Sequence, residues 1–258
     1  MRLALGSSLL RGSLLGACLA LGATLHGQTP PAAGPTPAGW TFVVTPYAWM
    51  TGLTGDVGIR NLETSVDLGF GDIIHHLRFG AMASGEAHNG PLVLGLDGIY
   101  VSMRDSKVFG VRLVSGEISL DQRETILQPT VGYSYDGGVW GVDALVGARY
   151  WNLSTSLGIN PARLQDRTRS GTVDWLDATG GLRVRLRAMS NLHFSVAGDG
   201  GGGGSRNSWQ VLGNASLDLS KRYNVLVGYR YLTVDYNRDD FLFDTHMNGF
   251  VLAANFHF

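Results

Sequence analysis

The last nine residues alternate between apolar and other side chains, and no other feature constrains the fold of this chain as strongly. Phe250, Leu252, Ala254, Phe256 and Phe258 stand at every second position. Because side chains at alternate positions of a β-strand point to the same side, the segment predicts a strand with one apolar face and one mixed face. Taken alone, the pattern suits a β-sandwich, a soluble β-barrel or a membrane β-barrel.

The composition favours a membrane barrel over the other two. Charged residues make up 16% of the 258 residues, against about 25% in a typical soluble domain. No stretch after residue 30 approaches the ~18 consecutive apolar residues of a membrane helix. A membrane barrel gives this combination, because its apolar residues are spread over alternate positions. The net charge of −1 and the lack of a basic patch argue against a nucleic-acid partner.

The first 39 residues predict export. Arg2 and Arg11 precede or flank an apolar run at 13–25 that is too short to span a bilayer, which is typical of a signal peptide over residues 1–27. Residues 28–39 are rich in proline and predict an extended periplasmic tether. The barrel domain is therefore expected at 40–258.

Cys18 is the only cysteine of the chain. Leu15-Gly16-Ala17-Cys18 matches a lipoprotein cleavage box, but the apolar run continues beyond it. We therefore interpret Cys18 as part of the signal peptide, and the mature chain then has neither a disulfide nor a thiolate metal site.

From Trp40 onward the sequence predicts about ten antiparallel strands of an up-and-down transmembrane β-barrel. Short turns such as Asn89-Gly90 alternate with longer polar segments such as 104–110. Eight strands result if the glycine-rich hairpin around Gly200 is irregular, and twelve if 53–59 and 64–70 span the membrane. One helical turn is expected at 71–77. The expected strands are 40–50, 79–88, 91–103, 112–135, 139–157, 170–188, 192–200, 208–219, 223–236 and 242–258.

Each strand has a mixed face and an apolar face. In 139–157, Asp143 and Arg149 share one face, whereas Trp140 and Val146 share the other. Aromatic residues near both strand ends predict two girdles around an apolar band, as in barrels surrounded by lipid. The first girdle contains Tyr133, Tyr135, Trp140, Tyr223, Phe256 and Phe258, and the second contains Trp49, Tyr100, Trp209, Tyr229 and Tyr231.

Several segments resemble a family of small bacterial outer-membrane β-barrel proteins that has no assigned activity. They are Thr45-Pro46-Tyr47-Ala48-Trp49, Gly147-Ala148-Arg149-Tyr150-Trp151 and Gly228-Tyr229-Arg230-Tyr231. The terminal Phe258 resembles the end of the last strand in such barrels. The resemblance covers most of residues 40–258 and implies the barrel fold. It also implies that the barrel-insertion machinery reads Phe256 and Phe258.

The faces expected to line the lumen collect charges of both signs. We interpret them as a salt-bridged polar interior that holds a narrow barrel together. Alternatively, they form a charged constriction that selects small solutes. The residues are Glu86, Asp97, Asp143, Arg149, Asp177, Arg183, Arg185, Asp199 and Arg230.

Candidate catalytic groups are sparse. His75 and His76 follow Asp72, and His246 follows Asp244, so either pair of residue types suits a general base held by a carboxylate. No nucleophile stands in a recognisable motif, and no metal-ligand spacing repeats. We therefore assign no catalytic residue, metal or cofactor.

The sequence thus predicts a protein of the cell outer membrane that is a structural barrel or a narrow porin-like channel. Its expected partners are outer-membrane lipid, lipopolysaccharide and the insertion machinery. One alternative is a hydrolase that acts on lipid or peptide at the extracellular rim. The other is a soluble ligand-binding barrel, in which Arg149, Arg183 and Arg230 would face outward.

Overall fold

The computed structural model describes residues 39–59, 62–111, 114–161, 167–238 and 241–258, which form an antiparallel β-sheet and one short helix. The predicted signal peptide, Cys18 and the tether up to residue 38 lie outside the described residues. The helix is α1 (Phe70–His76). The strands are β1 (Thr41–Ile59), β2 (Leu62–Leu68), β3 (Leu77–Asn89), β4 (Leu92–Val111), β5 (Val114–Asp136), β6 (Trp140–Pro161), β7 (Arg167–Arg187), β8 (Leu192–Gly203), β9 (Asn207–Asp218), β10 (Tyr223–Arg238) and β11 (Phe241–His257).

Ten strands close into a barrel. From β3 to β11 each strand pairs with the next, and β1 joins the two ends by pairing with both β3 and β11. The expected count of ten is therefore confirmed. Twelve strands is wrong because β1 is continuous, and β2 pairs only with its outer part. Eight is also wrong, because β8 and β9 pair in an unbroken register from Leu192↔Leu217 to Gly201↔Ser208.

The strands are connected differently at the two ends of the barrel. At the short-turn rim, which includes residues 90–91, 137–139, 188–191 and 219–222, a few residues join neighbouring strands. At the opposite, long-hairpin rim, β4 extends to Val111, so the loop expected at 104–110 is wrong. Pairing with β5 continues to Val111↔Val114 and satisfies the backbone groups that a loop would leave to water.

The helical turn expected at 71–77 is confirmed as α1, at the long-hairpin rim. The Asp72 carboxylate accepts a hydrogen bond of 3.0 Å from the backbone N–H of Gly69, which caps the helix start. No described helix has the length and apolar character needed to cross a bilayer.

The outward face of the barrel is apolar and the inward face holds the core. Leu182 and Val184 on β7 and Val227 on β10 are at least half exposed on the outside. On the inside, Asp143, Arg149 and Asp177 are completely buried. Apolar side chains outside and buried charges inside reverse the arrangement of a soluble barrel, which counts against the soluble alternative.

Candidate functional site

A chain of hydrogen bonds crosses the middle of the lumen, and its centre is the guanidinium of Arg149 on β6. Its Nε and Nη2 each donate to Oε1 of Gln128 over 3.1 Å, and its Nη1 donates to Oγ of Ser208 over 2.6 Å. Nη2 also donates to the carboxylate of Asp199. Because Arg149 has no exposed surface, these partners compensate a charge that would otherwise be very costly to bury.

Gln210 and Arg230 continue this chain to the far wall. The Gln210 amide donates to Asp199 over 2.6 Å and to Gln128 over 3.0 Å, and its Oε1 accepts from Nε of Arg230 over 2.9 Å. Arg230 then donates to Asp97 over 3.1 Å and to the Tyr47 hydroxyl over 3.2 Å. We call these residues the polar crossbar. Its members are Tyr47, Asp97, Gln128, Arg149, Asp199, Ser208, Gln210 and Arg230.

A second charge cluster lies between the polar crossbar and the short-turn rim. Arg183 donates to Asp143 over 2.6 Å and also to Glu86, which lies across the lumen on β3. Arg185 donates from Nη2 to the other oxygen of Asp143 and to Oγ of Ser134, both over 2.8 Å. Asp143 is thus shared by two guanidinium groups.

Asp177 was expected to join the charge network but has a different set of partners. Its carboxylate accepts hydrogen bonds from the backbone N–H and the hydroxyl of Ser205, over 2.7 and 2.8 Å, and from Nε1 of Trp175. Arg149 is its register partner on β6, and the charges of the two side chains attract each other. The hydrogen bonds of Asp177, however, hold the glycine-rich turn between β8 and β9. The other eight expected lumen residues all take part in ion pairs with one another.

Aromatic side chains fill the lumen on the long-hairpin side of the polar crossbar. Trp151 stacks on Trp175 with 5.4 Å between ring centroids, and Trp175 stacks on Tyr236 at 4.2 Å. Phe243 packs edge-on against Trp151 at 6.3 Å. Together with Trp49 we call these residues the aromatic plug, and all five side chains are buried. These five rings therefore have almost no contact with solvent.

Trp49 corrects one of the predictions from sequence. It was placed in the outer aromatic girdle, but only 4% of it is exposed, and the Arg230 guanidinium lies 4.9 Å from the centre of its ring. This cation–π contact joins the aromatic plug to the polar crossbar. The aromatic plug was missed, although its signal was present. Trp49, Trp151 and Trp175 each lie two positions from an inward-facing Tyr47, Arg149 or Asp177.

A cavity of about 590 Å³ occupies the other half of the lumen. The polar crossbar residues Tyr47, Asp97 and Arg230 line its deep end, and Asp136, Arg187 and Lys221 line it at the short-turn rim. We call it the short-turn cavity. Its volume is within the range of small-molecule sites.

The histidines proposed for a hydrolase do not form a recognisable site. His75 and His76 are exposed on α1, and Nδ1 of His76 lies 2.7 Å from the backbone oxygen of Asp72. His246 stacks on Tyr231 at 6.1 Å. Within the described ranges, no group of three His, Cys, Asp or Glu residues is placed to hold a metal ion.

Comparison with known proteins gives a fold and no sequence family. No protein-family model matches the chain, and no curated protein matches its sequence. Similar solved structures include the outer membrane protease OmpT from Escherichia coli, with a TM-score of 0.53 and 10% identity over 88% of this chain and 99% of OmpT. The translocator domain of autotransporter NalP from Neisseria meningitidis gives 0.44 and 12% over 84% and 88% of the two chains. The fold is that of bacterial outer-membrane β-barrels.

Proposed function

We propose that this protein is a barrel of the bacterial outer membrane whose lumen is closed to ions. The observation that carries the proposal is the pair of buried layers in mid-lumen. Arg149 in the polar crossbar and Trp151 in the aromatic plug both have no exposed surface. An ion would have to displace both layers to pass, at the cost of unpaired buried charges.

Planar-bilayer recording of the refolded chain tests the closure. The wild type is expected to give no steps of current. An Arg149→Ala/Trp151→Ala variant removes one side chain from each layer and is expected to conduct. Trp140→Ala, which changes an outward-facing ring that is 49% exposed, is the matched control and should stay silent. Steady current through the wild type would contradict the proposal and favour a narrow channel.

The outer surface and the end of the chain support localisation in the outer membrane. An apolar band with aromatic residues such as Tyr133 and Trp140 is suited to lipid, and in the outer leaflet that lipid is lipopolysaccharide. Phe256 and Phe258 are exposed at the short-turn rim, where Phe258 exchanges two backbone hydrogen bonds with Phe42. In the proposed orientation this rim faces the periplasm, where the insertion machinery reads the last strand.

Deletion of Phe258 tests this localisation in the outer membrane. We expect the full chain to fractionate with the outer membrane, and the shortened chain to accumulate in the periplasm or be degraded. A Phe194→Ala variant removes another outward-facing ring near the same rim and is expected to assemble normally. Unchanged assembly of the shortened chain would show that Phe258 is not an insertion signal.

A further inference from the structure

We propose that the short-turn cavity binds a small water-soluble anion, through a phosphate or carboxylate group held by Arg185 and Arg187. This inference goes beyond the closed barrel, because a site at one end of the lumen does not depend on whether the lumen conducts. The residues of the site lie on the inward face of β7 and at the short-turn rim.

The cavity wall carries three arginines in a row. Arg183, Arg185 and Arg187 occupy alternate positions of β7, and all three line the cavity. The number of carboxylate partners decreases from Arg183 to Arg187, toward the opening of the cavity. Arg183 binds both Glu86 and Asp143, Arg185 has only a share of Asp143, and Arg187 has no ion pair within the part of the chain that is described.

The carboxylates of the cavity are already engaged. At the deep end, Asp97 and Asp199 accept from the arginines of the polar crossbar. At the rim, Asp218 lies 2.8 Å from Nε2 of His193, and Asp136 accepts from the backbone N–H of Gly138 over 2.8 Å. Near the opening, Arg187 and Lys221 are equal in number to the carboxylates of Asp136 and Asp218. An entering anion is therefore held by the open guanidinium donors of Arg185 and Arg187, and not by an excess of positive charge.

Arg185 is held ready for a further partner. Its side chain is 38% exposed, and its hydrogen bonds to Ser134 and Asp143 are both made by Nη2, which leaves Nη1 for a ligand. The position of the Arg185 guanidinium is fixed by Ser134, by Asp143 and by the absence of a side chain at Gly141. A Cβ there would lie only 3.0 Å from Nη2 of Arg185. A planar guanidinium with free donors binds phosphate and carboxylate oxygens in the geometry that they prefer.

The rest of the cavity wall is suited to the uncharged polar part of the same ligand. Ser195, Asn214 and Asn255 line the cavity, and their hydroxyl and amide groups already form side-chain hydrogen bonds to neighbours. Each amide retains at least one donor or acceptor position beyond these hydrogen bonds. A hydroxylated anion of the size of a sugar phosphate fits a cavity of about 590 Å³.

Calorimetric titration of the refolded full chain in micelles is the test, with glucose 6-phosphate as the probe and glucose as its neutral match. We expect saturable binding of glucose 6-phosphate, none of glucose, and weaker binding at high salt. Arg185→Gln should weaken binding at least about tenfold, since a hydrogen bond between charged groups is replaced by a neutral one. Arg104→Gln, which alters an arginine outside the cavity, should change nothing.

A second variant keeps the test decisive if Arg185→Gln does not fold. Arg187 is exposed and has no described ion pair, so Arg187→Gln is expected to fold normally and to weaken binding about threefold, as for a partly screened charge contact. Absence of glucose 6-phosphate binding, equal binding of glucose, or unchanged binding by the folded arginine variants would overturn the inference. Bilayer current would contradict the closed lumen and leave this result untouched.

Discussion

The two halves of the lumen are built from different chemistry within a few residues of each other. Toward the long hairpins, Trp151 and Trp175 pack in the buried aromatic plug, whereas toward the short turns Arg183 and Arg185 line a cavity. Arg149 and Asp177 lie at the boundary on the same strands. The difference shows that the side chains on the inward face of one strand can change from charged to aromatic within two residues.

Removal of Arg149 is expected to have the largest effect on stability. Arg149→Ala leaves the Asp199 carboxylate without its cation and removes four hydrogen bonds. Loss of one partner from a buried charge pair costs roughly 3–5 kcal/mol. We expect a decrease of about 5 kcal/mol in the free energy of unfolding, measured by urea titration in micelles.

A double variant shows whether that loss comes from the stranded carboxylate. Arg149→Met/Asp199→Leu replaces the pair by apolar side chains, while the bond of 3.0 Å between Gln210 and Gln128 remains available. We expect recovery of more than half of the loss, because apolar replacements of buried pairs are often neutral. A double variant as unstable as Arg149→Ala would mean that the geometry of the polar crossbar, and not its charge balance, is what matters.

The aromatic half is tested by Trp175→Ala, with a somewhat smaller expected effect. Trp175 contacts Trp151, Tyr236 and Phe243, so truncation leaves a cavity in the aromatic plug. We expect a decrease of about 3 kcal/mol in the same urea titration. Trp209→Ala is the control, because this ring is 38% exposed on the outer surface. Equal losses in the two variants would show that the aromatic plug is not packed as described.

Deletion of Phe258 should hardly change the stability of the refolded chain. The residue is 76% exposed, and its two backbone hydrogen bonds to Phe42 lie at the end of the β1–β11 seam. We expect a loss of about 1 kcal/mol. A loss comparable to that of Trp175→Ala would assign Phe258 a structural role, and the assembly defect would then need no insertion signal.

The smallest effect is expected from the exposed pair of Arg104 and Asp121. Arg104 donates two hydrogen bonds to the Asp121 carboxylate, over 2.6 and 3.0 Å, but both side chains are in contact with solvent. Surface pairs of this kind are screened by water and salt. Arg104→Ala should therefore leave the urea midpoint within the error of measurement, and a clear shift would show that the charges of the outer hairpins contribute to stability.

The alternation of side chains was enough to predict most of the fold. The expected strand 223–236 corresponds to β10 at Tyr223–Arg238, and 170–188 corresponds to β7 at Arg167–Arg187. That Asp143 and Arg149 share one face also follows from the period of two. Such predictions succeed because inside and outside of a barrel are separated by a single residue step.

Two details of the lumen were not predicted. Asp177 faces the lumen as expected, yet it binds Ser205, which lies 28 positions away in a turn whose path depends on the whole barrel. Trp49 was placed in a girdle because tryptophan is common at membrane interfaces, but it lies two positions from Tyr47 on the face of β1 that points into the lumen. In that case the alternation was the better guide than the residue type.

The closure of mid-lumen also determines how the short-turn cavity exchanges its contents. A chamber with one mouth fills and empties by the same route, so its occupancy follows the concentration in a single compartment. If the lumen is closed as proposed, such a chamber does not perform vectorial transport, however tightly it binds a ligand. The polar crossbar joins β1, β4, β5, β6, β8, β9 and β10 through side chains, and it forms the inner end of this chamber.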